Sequence, residues 1–183
     1  MTTYNQLAGL RVNYLGSDPT LNTGNEGQVW YNSTSGTLKS LVQLKAWSSA
    51  SNLPAATRFL AGAGTQTAGL AFGGFTTANT AATNEYSGYT WAAGGNLGTA
   101  RRYLAGFGTQ TASLFVGGTG PTQPPTTFFA INESYNGTTW TELADLNTAR
   151  QACNGRGNNT AGLVFGGAPN SPPTNLLTEE YSG

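Results

Sequence analysis

The chain has 183 residues, of which eight are basic and eight acidic, with no histidine, one cysteine and charged side chains making up only 9%. Zero net charge excludes a global field that would gather nucleic acid or an anionic membrane surface. A lone Cys153 with no imidazole excludes a His/Cys metal site, an intramolecular disulfide and a base-activated thiol; it reads as a small buried side chain.

Residues 1–43 form an N-terminal segment, of which 1–40 do not repeat. The opening "MTTYNQLAGLRVNYLGSD" has no continuous apolar run, so no signal peptide is expected, and no stretch approaches the roughly 18 apolar residues of a membrane span. Within "TGNEGQVWYNSTSGTLKSL", Gln28 to Asn32 is predicted as a strand, Ser33 to Gly36 as a turn and Thr37 to Leu44 as the return strand of a hairpin. Gly24, Glu26, Gly27, Trp30, Tyr31, Gly36, Leu38 and Lys39 place this stretch in a pattern that resembles a short segment common in phage tail-fibre and other virion proteins. The resemblance implies that Trp30, Tyr31 and Lys39 anchor the chain to a virion; a plain hairpin cap is the other reading.

Residues 44–183 are organised by repetition. "GTQTAGLAFGG" at 64–74 returns as "GTQTASLFVGG" at 108–118 and as "GNNTAGLVFGG" at 157–167. Trp47 to Gly73, Trp91 to Gly117 and Trp140 to Gly166 are each twenty-six residues apart, which sets units of about 44–93, 94–142 and 143–183. In the first unit, 58–64 is predicted as a strand, Thr65 and Gln66 as a turn, and 67–74 as a second strand. Asn84 to Tyr86 begins a third, Ser87-Gly88 turns it, and Trp91 opens a fourth. Four short strands in a period of 40–50 residues are the signature of propeller blades.

The repeat positions Gly73, Gly74, Tyr86 and Trp91, then Gly117, Gly118, Tyr135 and Trp140, then Gly166, Gly167 and Tyr181, resemble the kelch repeat. Very similar arrays occur in marine and cyanobacterial phage proteins. The resemblance implies an all-β fold of three kelch-like β-propeller blades behind an N-terminal hairpin, in a structural virion protein: a fibre, tail or capsid-decoration component located in the particle. A free kelch-like carbohydrate- or protein-binding module is the alternative.

Three blades are too few to close a ring, since propellers need about four to eight. The last unit stops at Tyr181 before its Trp strand, while "LKAWSSASNLP" at 44–54 reads as an outer strand without a blade. A homo-oligomer that joins these halves is therefore expected, a dimer first and a trimer next, with other virion proteins as further partners; a fragment of a longer repeat array is the other reading.

Chemistry is sparse. No Asp-x-Asp-x-Asp-Gly loop, Gly-x-Ser-x-Gly elbow or Walker loop occurs, so neither an enzyme nor a cofactor is expected. Glu85, Glu133 and Glu180 stand beside the repeat tyrosines and are expected in blade-to-blade hydrogen bonds. Arg58, Arg101, Arg102 and Arg150 stand at the start of the inner strands, on the side of the loops "TGPTQPPTT" and "APNSPPTN". With Phe128 and Phe129 they form a candidate face for a host glycan or receptor. Otherwise, as repeat equivalents, they bond backbone carbonyls.

Overall fold

The structure, a computed structural model, describes residues 12–20, 28–40, 47–121, 127–168 and 176–183. The chain divides into two compact units, Met1–Ser49 and Ala50–Gly183. Both are β-structure, and the described residues contain no α-helix.

In the first unit, β2 (Val29–Asn32) and β3 (Thr37–Ser40) form the expected hairpin around a Ser33–Gly36 turn, with Gly36 at a φ of 65°. Residues 41–44 of the predicted return strand lie outside the described residues. A strand that the sequence did not suggest, β1 (Asn13–Leu15), adds parallel to β2 and pairs Asn13 with Trp30. "NYL" is too short to show a period, so its strand character comes from the edge that β2 offers.

Among its described residues the second unit contains three antiparallel sheets. The first runs in order β4 (Ala61–Gly64), β5 (Gly69–Phe72), β6 (Thr83–Tyr86) and β7 (Trp91–Ala93). Its repeat is β8 (Ala105–Thr109), β9 (Ala112–Val116), β10 (Asn132–Tyr135) and β11 (Trp140–Glu142). The third has three strands, β12 (Asn154–Gly157), β13 (Ala161–Phe165) and β14 (Thr178–Ser182).

Two boundaries differ from expectation for physical reasons. The first strand starts at Ala61 instead of 58, because Phe59, Tyr103 and Ala152 hold φ of 58°, 56° and 52° at equivalent points, a conformation no strand continues through. The second strand stops at Phe72, because Gly73 and Gly74 turn out of the ladder at φ of 63° and 101°. Residues 47–54 form no strand, contrary to the reading of 44–54 as an outer strand; residues 44–46 lie outside the described residues. The segment has no ladder partner and is held instead at Ser51, whose carbonyl accepts from Trp91 Nε1 at 3.1 Å, while Trp47 is wholly exposed.

The sheets stack through their faces. Leu70 and Phe72 of the first sheet meet Phe115 and Tyr135 of the second in one buried cluster, and Leu114 and Val116 meet Cys153 and Val164 in the other. Glycine makes this approach possible: a Cβ on Gly106 would sit 2.4 Å from the Phe72 ring, and one on Gly155 2.2 Å from Phe107. Burying a ring such as Phe72, which is 1% exposed, contributes about 2 kcal/mol.

Candidate functional site

The inner-strand arginines fall into two structural registers that the sequence reading merged. Arg101 and Arg150 occupy one, with Thr57 at the matching place in the first sheet. Arg58 and Arg102 occupy the next residue, which forms the isolated bridges Arg58 to Phe75 and Arg102 to Thr119; Gln151 fills that place in the third sheet.

Arg101 and Arg150 are fully buried and present nothing to a ligand, which corrects their placement on a recognition face. Arg101 Nη1 donates to Gly117 O at 2.9 Å and Ile131 O at 3.1 Å, while Nη2 pairs with Glu133. Arg150 repeats the pattern on Gly166 O, Leu177 O and Glu179. The guanidinium carbon of Arg101 lies 4.0 Å from the Phe115 ring centroid. Burial pulls the Arg101 pKa below its ordinary value, and Glu133 opposes that pull. Each arginine also extends the stacking through its backbone: Gly74 N donates to Arg101 O at 2.7 Å and Gly118 N to Arg150 O at 2.9 Å.

The ladder register also regroups the acids. Glu133 opposes Phe115 and Glu179 opposes Val164, so these two are equivalent, with Asn84 in the first sheet; Glu85 and Glu180 belong to the neighbouring position. Glu85 does bridge sheets, accepting from Tyr135 Oη at 2.5 Å. Glu133 instead holds Arg101 and the Gly98 amide, and Glu179 holds Arg150 and the Asn147 amide. Glu179 is the partner that the sequence did not single out.

The second register is nearer the surface. Arg58 is exposed and its guanidinium lies 4.8 Å from the centroid of Phe75, while that of Arg102 lies 5.1 Å from the same ring. Arg102 is only 7% exposed and donates to Asn79 Oδ1 at 3.2 Å. Phe59 and Tyr103 stack beside them with centroids 4.3 Å apart. Phe128 and Phe129 are half-buried; Phe128 forms the bridge to Thr119, and Phe129 bonds Gly118 O and the Arg150 amide through its backbone. The loop segments 122–126 and 169–175 lie outside the described residues. Of the candidate face, Arg58 is exposed and Phe128 and Phe129 are half-buried; the exposed Phe59 and the half-buried Phe75 lie beside Arg58.

In the N-terminal unit the anchoring candidates are held within the unit itself. Trp30 is 4% exposed, and its indole donates to Asp18 Oδ1 at 3.0 Å. The same oxygen accepts from Asn32 at 2.8 Å, and Lys39 Nζ reaches Asp18 Oδ2 at 2.7 Å. These donors, led by Lys39, bring the Asp18 carboxyl down to about 2. Tyr31 stacks on the exposed Tyr14 at 4.6 Å. The sequence offered no signal for Asp18, since its donors lie 12 to 21 residues away.

The structural repeat residues carry the sheet-to-sheet bonds. Trp140 Nε1 donates to Thr83 Oγ1 of the first sheet at 2.9 Å, and Tyr86 and Tyr135 stack on Trp91 and Trp140 at 4.9 and 4.8 Å. Cys153 is buried, as expected, and burial raises its thiol pKa.

No protein-family model and no curated protein matches the sequence. Among solved structures 114 chains match; one, titled as the structure of YjhT, has a TM-score of 0.56 at 11% identity, over 82% of this chain. The aligned part spans 47% of the YjhT chain, and at this identity the likeness speaks to an all-β fold alone.

Proposed function

We propose that the three sheets are kelch-like blades of a β-propeller, and that the chain is a structural, non-catalytic protein of a bacteriophage virion, a fibre, tail or capsid-decoration component that works as a homo-oligomer. One observation carries the structural role: the polar side chains with chemical potential are spent inside the sheets. Arg101 and Arg150 donate to backbone carbonyls and pair with Glu133 and Glu179, which also accept from the Gly98 and Asn147 amides. The stacking of successive sheets through their faces supports the blade reading, and the phage assignment rests on the repeat and hairpin resemblances. Immunogold labelling and proteomics of purified particles test it; a protein recovered only in the free fraction of a lysate sinks the virion role.

The exposed Arg58 beside Phe59 and Phe75 favours a second reading, a free or particle-borne module that contacts a host surface glycan or receptor. A guanidinium donor next to aromatic faces is suited to a sugar. Glycan-array binding that disappears in Arg58→Ala supports it; binding indifferent to that change counts against this face.

A further inference from the structure

The two end sheets of the second unit are complementary halves of a contact that the chain makes twice internally. Phe72 and Val116 are 1% and 2% exposed because the next sheet covers them, whereas their equivalent Phe165 on the third sheet is 38% exposed. The residues that do the covering are also known from the two internal contacts. A Cβ on Gly73 would meet Leu104 at 3.0 Å and Leu97 at 3.4 Å, and one on Gly117 would meet Cys153 at 3.6 Å. Their counterparts in the first sheet, Leu53 and Leu60, line a hollow of about 230 Å³ with Thr57 and Ala71, and neither of the other two sheets of this unit packs on it.

The backbone gives the same account. Gly74 N and Gly118 N donate to the carbonyls of Arg101 and Arg150, while Gly167 N has no partner among the described residues. The carbonyl that would match is that of Thr57, on the wall of the hollow. Tyr103 N donates to Phe59 O at 3.0 Å and Ala152 N to Tyr103 O at 2.7 Å, a ladder that among the described residues leaves Phe59 N at one end and Ala152 O at the other.

We infer that Phe165, Gly166 and Gly167 of one chain dock into the hollow formed by Leu53, Thr57, Leu60 and Ala71 of a second copy, head to tail, and that two such contacts close a ring of two chains. The hollow is deepened where the internal contact is filled: Ala71 stands at the place of Phe115, which leaves room for the Phe165 ring. The surface is heterologous, so it closes only by rotation; two chains give six sheets, within the range of closed propellers. Zero net charge leaves no long-range repulsion between copies. This inference rests on the blade reading above but not on the virion role.

The test is the native mass of the full chain at micromolar concentration. The expected species has twice the 18.9 kDa chain mass. Phe165→Asp and Leu53→Asp each reduce it to a single chain with unchanged far-ultraviolet circular dichroism. Mixing the two variants restores a two-chain species, because one intact contact remains. A wild-type monomer, a dimer that survives both substitutions, or a mixture that stays monomeric overturns the contact. The blade stacking is read separately from Gly106→Val in the single-chain Phe165→Asp background: a loss of thermal stability there preserves the stacking even if the contact fails, and no loss sinks the stacking itself.

Discussion

Tyr135, on the third strand of the second sheet, donates its phenolic proton to Glu85 of the first at 2.5 Å and is itself fully buried. Gly95 N donates to the same phenolic oxygen at 3.3 Å, so one side chain ties a strand of each sheet to the link between them. Trp140 adds a second tie at Thr83. Tyr135→Phe keeps the ring packing but leaves Glu85 without this donor. A hydrogen bond to a charged group contributes about 1.5–3 kcal/mol. Urea unfolding of Tyr135→Phe is expected to show a lower midpoint with an unchanged slope; an unchanged midpoint would mean that Glu85 is satisfied by water.

The same tyrosine gives an alkaline limit. Burial, followed by the bond to Glu85, raises its pKa to about 12 from a usual 10.0. The folded state then holds the proton more tightly than the unfolded chain, so its stabilising effect is complete below pH 10 and is lost as pH rises toward 12. Thermal melts across pH 9 to 12 are expected to fall more steeply in the wild type than in Tyr135→Phe.

The buried Arg101–Glu133 pair differs in kind from a surface salt bridge. Removing one partner strands the other in a dry interior, at a cost of about 3–5 kcal/mol. Arg101→Met is expected to destabilise by that order, and Arg101→Met with Glu133→Gln by clearly less, since no unpaired charge remains. Calorimetry of the two variants decides. Equal losses would show that Arg101 acts through its packing on Phe115 instead of its charge.

Much of the second unit was legible because the repeat marks its own boundaries. Glycine pairs fall where the backbone needs positive φ, and the Tyr–Trp pairs fall opposite each other in the ladders, as Tyr86 does with Trp91. The arginine site was less legible. "ATRF", "ARRY" and "ARQA" align only when Thr57, Arg101 and Arg150 are placed together, and a side chain's inward or outward direction changes with a shift of one residue. Adjacent Arg101 and Arg102 hide that choice in the sequence; the bridge of Arg102 to Thr119 reveals it. Glu179 escaped notice beside Glu180 for the same reason. Asp18 and β1 depend on partners far along the chain, for which local pattern carries no signal.

The N-terminal unit has an acid limit set by one carboxylate. Asp18 accepts from Trp30, Asn32 and Lys39, which lowers its pKa from 3.8 to about 2. The folded form binds the proton less readily than the unfolded chain, so the stabilising effect is complete above pH 4 and is lost as pH falls through 2. Asp18→Asn keeps an acceptor oxygen for the indole but removes the charge facing Lys39. Trp30 fluorescence in an isolated 1–49 fragment would confuse loss of the bond with loss of folding, so the full chain is the proper subject. There, the two-dimensional NMR indole resonance of Trp30 is expected to shift between pH 4 and 2 in the wild type and to lose that shift in Asp18→Asn. A resonance that titrates equally in both proteins would place the proton on another acid and remove Asp18 from the centre of the unit.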